Sequence, residues 1–226
     1  MNQVLHSVAM LGGTFDPVHM GHLRSALELR ERFAFDQLRF VPCHRPPHRG
    51  APGADSRQRL HMVELALDGE PGLLADAREL NRPGPSYTFD TLTELRAELG
   101  ENCALTLVLG ADAFAALDTW HRWRELPELA HLVVMARPDC PLPETGPVAD
   151  LLRARRAEAE MLRRKPAGCI VPVALTPLPV SATQIRDIVR SGRSPRYLLP
   201  DAVCAYIREQ KLYQLPACAG SARARP

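Results

Sequence analysis

The chain has 226 residues, of which 46% are hydrophobic and 24% charged, and its 28 Lys and Arg against 26 Asp and Glu leave a formal net charge of only +2. Such a length buries a substantial core and is most simply one domain, while the near balance of charge excludes bulk electrostatic binding of nucleic acid, so that any grip on an anion must come from local placement. No apolar run approaches the ~20 residues of a membrane span, Met1-Asn2-Gln3 lacks the basic start and apolar core of a secretory signal, and a cytoplasmic location is expected.

Val8 to Leu11 is a short apolar run that reads as a strand buried on both faces. Gly12-Gly13-Thr14-Phe15-Asp16-Pro17-Val18-His19-Met20-Gly21-His22 follows, and then Leu23, Ala26, Leu27 and Phe33 fall on one side of a helical period. Strand, glycine turn and helix together present backbone N–H groups and a positive helix end to an anion. The glycines let the backbone approach a ligand, and Pro17 fixes one φ angle. His19 and His22 share a face of the first helical turn, from which imidazoles can donate to phosphate oxygens.

Gln37 to Val41 alternates as a second strand ending at Pro42. The proline-rich, basic segment Cys43 to Gly50 lies where ligands sit in an open α/β sheet, although taken alone it is equally a solvated loop. A helix starts at Asp55 or Ser56 and buries Leu60, Val63 and Leu67. Leu73 to Ala77 reads as a third strand, followed by a loop through residues 81–85. Ser86 is a candidate cap for a helix with the apolar face Phe89, Leu92, Leu95 and Leu99, and Tyr87-Thr88 places an aromatic and a hydroxyl at its start.

Ala104 to Leu109 is the clearest buried strand and runs into Gly110-Ala111-Asp112. Of the two tryptophans in Trp120-His121-Arg122-Trp123, Trp123 suits core packing as well as a site, and Trp120 suits stacking on a flat ring. His131 to Ala136 is a further strand with Arg137-Pro138 at its exit. The arginine-rich stretch 148–165 reads as an exposed helix whose charges need no function. Gly168 to Ala174 is the last strand. Ser181 caps a helix that buries Ile185, Ile188 and Val189 and ends at Gly192, and Val203, Tyr206 and Ile207 mark a final short helix from Pro200. Residues 217–226 have no apolar pattern and are expected to be disordered. The six cysteines, at 43, 103, 140, 169, 204 and 218, include no CxxC pair and read as free thiols.

This alternation predicts an α/β fold: a Rossmann-like, doubly wound parallel sheet in three αβα layers, one domain over residues 1–216 with a small helical extension at about 181–213. The singular polar residues His19, His22, His48, Thr88, Asp112, Arg137, Ser181 and Arg186 all fall at strand exits or helix starts, which one cleft along the carboxyl edge of the sheet explains.

The stretch Gly12 to His22 resembles, residue for residue, the signature loop of the HxGH nucleotidyltransferases. Pro46-Pro47-His48-Arg49, Pro85-Ser86-Tyr87-Thr88, Gly110-Ala111-Asp112, Thr119-Trp120, Ser181-Ala182-Thr183-Gln184-Ile185-Arg186 and the closing Leu199-Pro200-Asp201 to Lys211-Leu212-Tyr213 resemble, in the same order, the motifs of the bacterial nicotinate-nucleotide adenylyltransferases. The resemblance covers residues 12 to about 213. It implies adenylyl transfer from ATP, with Mg²⁺, to nicotinate mononucleotide, releasing pyrophosphate and forming deamido-NAD. Nicotinamide mononucleotide, or the acceptor of another HxGH nucleotidyltransferase, remains the alternative.

By the same resemblance His19, His22 and Arg186 are the catalytic residues, and Gly12, Gly13, Thr14, Phe15, Ser181 and Thr183 join them in binding ATP. His48, Arg49, Tyr87, Thr88, Gly110, Asp112, Trp120, His121 and Arg137 bind the mononucleotide, whose pyridine stacks on Trp120 with its carboxylate met by backbone N–H groups near Thr88 and His121. An amide there would turn its own NH₂ on a donor at a cost on the order of 1–3 kcal/mol, which favours the acid. No protein metal ligand, nucleic acid or membrane is implied, and monomer and homodimer both remain open. His121, Phe89 and the length of the arginine-rich stretch depart from compact relatives.

Overall fold

The computed structural model describes residues 4–45, 52–136 and 140–214. In chain order the elements are β1 (Ser7–Gly13), α1 (Met20–Phe33), β2 (Gln37–Pro42), α2 (Ser56–Leu67), β3 (Leu73–Ala75), α3 (Arg78–Asn81), α4 (Thr88–Leu99), β4 (Ala104–Gly110), α5 (Ala111–Ala115), α6 (Leu126–Leu129), β5 (His131–Ala136), α7 (Pro147–Arg155), β6 (Ile170–Ala174), α8 (Ala182–Arg190) and α9 (Asp201–Glu209). The strands form one sheet in the order β3-β2-β1-β4-β5-β6, and every neighbouring pair is parallel. The chain thus winds outward from β1 in one direction and from β4 in the other. Between those two strands lies the switch point where doubly wound sheets hold their ligands.

Alternation along β1 divides the core. Ala9 and Leu11 face a layer built from α1 (Ala26, Leu29, Phe33), α2 (Met62, Val63), Ile185 of α8 and Val203 and Ile207 of α9. Val8 and Met10 face the other layer, built from α4 (Phe89, Leu92, Leu95), Phe114 of α5, Leu126 of α6 and Val148 and Leu152 of α7. A strand covered on both faces has no polar side to offer solvent, which is why β1 and β4 read as near-continuous apolar runs, with only Ser7 and Thr106 as buried polar exceptions. Among the described residues no helix is long and apolar enough to cross a membrane, and Cys43, Cys103, Cys140, Cys169 and Cys204 are free thiols.

Several boundaries differ from the sequence expectation. In α2 the buried stripe is Arg59, Met62, Val63 and Leu67, and Leu60 is only half-buried; the stripe starts one residue earlier and includes a guanidinium, which an apolar-period reading skips. Asp55 is the cap, its carboxylate accepting from Gln58 N at 2.8 Å. β3 stops at Ala75, because the Asp76 carboxylate accepts from Arg78 N at 3.0 Å and turns the chain into α3, where a loop was expected. Ser86 does not cap α4, whose cap position is Tyr87; the Ser86 hydroxyl is engaged by His44 and Arg45 instead. The arginine-rich helix ends at Arg155, after which Ala157 N donates to Ile170 O and a 3₁₀ turn, Ala159–Arg163, packs Leu162 into the core. β6 begins at Ile170 rather than Gly168, and Ile188 and Val189 of α8 are half-buried, leaving Ile185 as its buried anchor. The tail 217–226 lies outside the described residues.

His131, at the start of β5, is fully buried. Its Nδ1 accepts from Cys169 N at 3.0 Å, and its Nε2 lies 2.8 Å from Lys165 O. A carbonyl only accepts and an amide only donates, so the ring is neutral with its proton on Nε2. Burial pushes its pKa below the ordinary histidine value. Below about pH 6.5 the unfolded chain therefore takes up a proton that the native ring resists, and stability falls with pH until the native ring also protonates. Thermal unfolding between pH 7.5 and 5.5 should show this decline. His131→Asn should be less stable at pH 7.5 by about 1–3 kcal/mol, and its stability should depend less on pH over the same interval.

Candidate active site

The carboxyl end of β1 turns through Gly12 and Gly13 into a loop that packs on itself. A Cβ at Gly13 would stand 3.0 Å from the Phe15 ring, and one at Gly21 would stand 3.0 Å from the His19 ring, so a side chain at either position would push on the ring beside it. Phe15 takes a left-handed φ of 49° and is buried against Phe40 of β2, ring centroids 5.4 Å apart. Its edge meets the His22 ring at 5.1 Å.

His19 caps the N-terminus of α1 in an extended conformation, and His22 sits in the first turn. The backbone N–H of His19 donates to His22 Nδ1 at 3.3 Å. The two imidazoles stack with centroids 3.7 Å apart and planes 26° from parallel. The pair expected to share a face therefore does so, at the positive end of a 14-residue helix.

Asp16 holds this loop to the rest of the molecule. Its buried carboxylate accepts from Gly53 N at 2.7 Å, Ala54 N at 3.1 Å and the Tyr213 phenol at 2.8 Å. Arg186 Nη1 lies 3.6 Å from the same carboxylate and donates to the Asp16 carbonyl at 2.7 Å. Arg186 Nη2 donates to Thr183 Oγ1 at 3.2 Å, and Ser181 caps α8 by accepting from Gln184 N. Val180 O would lie 3.6 Å from a Cβ at Gly21, so the start of α8 approaches the histidine turn. The ATP-side residues inferred from sequence, Gly12 to Phe15, His19, His22, Thr183 and Arg186, thus converge on one loop and one helix end, with Ser181 at the cap.

A second anchor is Arg59, 1% exposed. Its guanidinium donates to Thr14 O at 2.6 Å, Cys43 O at 2.7 Å and Ala54 O at 3.3 Å. It therefore ties the β1 loop, the β2 exit and the cap of α2 together. Beside it, burial pushes the Cys43 thiol above its ordinary pKa, so the thiol packs as a neutral group. From sequence Asp16 and Tyr213 were quoted only as members of motifs, with no role, and Arg59 was not singled out. The available signal for Arg59 was a cation at the (i, i+3, i+4) spacing of a buried stripe with Met62 and Val63.

On the β4 side, a Cβ at Gly110 would meet Asp112 Oδ1 at 2.6 Å, so the carboxylate leans over a bare backbone. The Tyr87 ring stacks on His121 at 4.6 Å, Phe89 meets His121 edge-on at 6.3 Å, and the Arg122 guanidinium covers Phe89 at 3.7 Å. Thr88 opens α4. Trp123 is buried in the core, whereas Trp120 is half-buried at the edge of that cluster. His48, Arg49 and Arg137 lie outside the described residues.

Two hollows differ in chemistry. One of about 560 Å³ lies at the β3 edge, lined by Glu64, Asp68 and Glu70, whose charges repel phosphate. The other, about 370 Å³, is polar and is lined by Asp16, Gly53, Arg186, Arg190, Tyr213 and Gln214 beside the loop. Its two arginines against one carboxylate make the second the more favourable of the two for an anion.

A doubly wound sheet with paired histidines at the first helix end, and an arginine crossing from a late helix to the loop that carries them, defines the α/β nucleotidyltransferases as a class. Residues 10–188 match the cytidylyltransferase-like family model. A protein named "probable nicotinate-nucleotide adenylyltransferase" from Cellvibrio japonicus is 50% identical over 208 residues, 92% of this chain and 99% of its own. One of the same name from Pseudomonas syringae pv. tomato is 49% identical over 221 residues, 98% of this chain and all of its own. The solved Plasmodium falciparum nicotinic acid mononucleotide adenylyltransferase, complexed with NaAD, superposes with a TM-score of 0.68 over 92% of this chain and 97% of its own at 14% identity, a likeness of fold. The chain belongs to the nicotinate-nucleotide adenylyltransferase family, within the cytidylyltransferase-like group.

Burial, and after it the neighbouring Asp16 carboxylate, push the Tyr213 phenol far above the ordinary tyrosine range. In a spectrophotometric titration of the folded protein to about pH 11, fewer than the four tyrosines of the chain should ionise. Tyr213→Phe should leave that amplitude unchanged while lowering stability by about 1–2 kcal/mol, because Asp16 loses one of its donors.

Proposed function

We propose that this chain transfers the adenylyl group of ATP to nicotinate mononucleotide, releasing pyrophosphate and forming deamido-NAD. The observation that carries the proposal is the stacked His19 and His22 pair at the N-terminus of α1, with Arg186 anchored opposite on the carboxylate and carbonyl of Asp16. Both high-identity relatives bear the name of that activity.

The nucleophile is a phosphate oxygen of the mononucleotide, already ionised at neutral pH, so neither a strong base nor a covalent enzyme intermediate is needed. That oxygen forms a bond to the α-phosphorus as the bond to the bridging oxygen of pyrophosphate breaks, and the electron pair leaves with pyrophosphate. Catalysis is then positioning and neutralisation of two polyanions. His19 and His22 donate to the α-phosphate oxygens as charge develops there. Arg186, with Ser181, Thr183 and the N-terminus of α8, holds the β and γ phosphates as they become the leaving group. Gly12, Gly13, Thr14 and Phe15 meet the nucleotide through backbone.

On the acceptor side, Asp112 takes a ribose hydroxyl beside the bare backbone of Gly110. Trp120 stacks on the pyridine, and backbone N–H groups near Thr88 and His121 take its carboxylate, bounded by the Tyr87 ring. By resemblance alone, His48 and Arg49 reach phosphate and Arg137 joins in binding the mononucleotide. Asp16 already accepts from two backbone amides and a phenol beside Arg186, so the loop fits Mg²⁺ as an ion carried in on the triphosphate with its own waters. When bound it offsets phosphate charge. The link of α8 and Tyr213 to the β1 loop supports reading residues 1–216 as one catalytic domain, which we place in the cytoplasm.

Pyrophosphate release from ATP and Mg²⁺ should be rapid with nicotinate mononucleotide and slow with nicotinamide mononucleotide, because the amide presents an NH₂ where donors already point. Equal rates would overturn the acid preference, and release with neither would overturn the acceptor. His19→Ala should lower kcat on the order of 10²–10³-fold while the fold persists, as loss of one preorganised donor does.

A further inference from the structure

Arg59 is a buried cation whose charge the mechanism above does not use. It lies in the first turn of α2 and is 1% exposed. Among the described residues every acceptor it donates to is uncharged: Thr14 O at 2.6 Å, Cys43 O at 2.7 Å, Ala54 O at 3.3 Å, His44 O at 3.4 Å and the Cys43 thiol at 3.9 Å. A guanidinium taken out of water with no carboxylate bonded to it is expensive. Its position adds to the cost, since the first turn of a helix is the end at which the macrodipole disfavours a cation.

The carbonyls of the glycine turn are occupied from behind. Gly13 O accepts from Cys43 N at 2.9 Å, and Thr14 O accepts from the Arg59 guanidinium. The peptides that follow Gly13 and Thr14 are trans, and a trans peptide sets its N–H opposite to its C=O. Thr14 N–H and Phe15 N–H therefore point away from those donors. Neither makes a hydrogen bond among the described residues, and Phe15 is only 3% exposed. A partnerless amide in a buried residue is rare, and it marks a place for an acceptor from outside the chain. The two amides differ in what stands behind them: a neutral N–H for Thr14 and a full positive charge for Phe15.

We propose that Arg59 is a positioning residue that acts through the Thr14–Phe15 peptide: its charge, set on Thr14 O, fixes the plane of that peptide and makes Phe15 N–H a stronger donor to a phosphate oxygen of ATP. The proposal rests on the reading of the β1 loop as the ATP loop. A charged donor on a carbonyl polarises the whole amide, and hydrogen bonds chained through one amide reinforce each other. The same cation lies under the loop that receives a polyanion, so the cost of burying it is offset when the nucleotide binds.

The first test needs no variant: ATP with Mg²⁺, added without acceptor to the ¹⁵N-labelled protein, should move the Phe15 amide proton downfield. A response at other loop amides that spares Phe15 would overturn the proposal, and no response anywhere in residues 12–22 would overturn the ATP assignment on which it rests. Arg59→Gln should then lower kcat/KM for ATP about tenfold, the order of one weakened charge-assisted hydrogen bond. Arg59→Lys, which keeps the charge without the planar fork, should lose less and show a smaller Phe15 shift than the wild type. Arg96 is the control, because it gathers Leu129 O, Cys103 O and Pro166 O away from the loop; Arg96→Gln should lower the thermal midpoint and leave kcat/KM unchanged. Equal losses of activity at positions 59 and 96, or no loss at 59, would overturn the proposal. Failure of the wild-type enzyme to use nicotinate mononucleotide would overturn the acceptor assignment instead, and the Phe15 shift would still decide the role of Arg59.

Discussion

The signature loop and everything packed around it depend on a carboxylate that has been taken out of water. Asp16 is 5% exposed, and a buried carboxylate is tolerable only if its oxygens are fully hydrogen-bonded. Its hydrogen-bond donors come from 37, 38 and 197 residues away along the chain, and Arg186, 170 residues away, pairs with its charge and donates to the Asp16 carbonyl. Satisfying one charge therefore forces the α2 cap, α8 and the end of the chain past α9 to meet at the mouth of β1. The stacked histidines rise from the same loop three residues later, so their placement is a consequence of that closure.

Arg59 does for carbonyls what Asp16 does for donors. Its guanidinium collects Thr14 O, Cys43 O and Ala54 O, groups at strand and helix ends that have no partner within their own element. Arg96 plays the same part at the opposite end of the sheet, gathering Leu129 O, Cys103 O and Pro166 O. A planar fork of donors suits convergent carbonyls in a way a lysine ammonium does not. The fold thus fixes its loops with a few buried ionic groups set in an otherwise apolar three-layer core.

Division of labour follows from the switch point. In the proposed mechanism β1 carries the loop that meets the triphosphate, and β4, its neighbour, carries Gly110 and Asp112 on the acceptor side. Asp16, Arg59 and Arg186 brace the β1 loop, and Ser86 docks on the β2 exit at His44 and Arg45, which Arg59 also holds. A shared frame of this kind suits the proposed reaction, whose barrier is lowered chiefly by positioning.

Period and glycine placement made the strands, the main helices and the doubly wound class legible, because burial on one face or two leaves a direct trace in residue order. The glycine turn and paired histidines were legible for the same reason, since strand, turn and helix are local. Ser86 was misread as a helix cap because its true partners, His44 and Arg45, are distant in the chain, and α3 was read as loop because a single turn leaves no periodic trace. Arg59 was passed over because a lone cation in an apolar stripe looks like an interruption until its carbonyl partners are seen. The sequence by itself thus determined the class of fold and the chemistry of the signature loop, both of which reside in short-range pattern. Only the tertiary structure decided which buried charges hold that loop and the acceptor segment in place, because hydrogen bonds between residues far apart in the chain exist only once the sheet has brought its strand ends together.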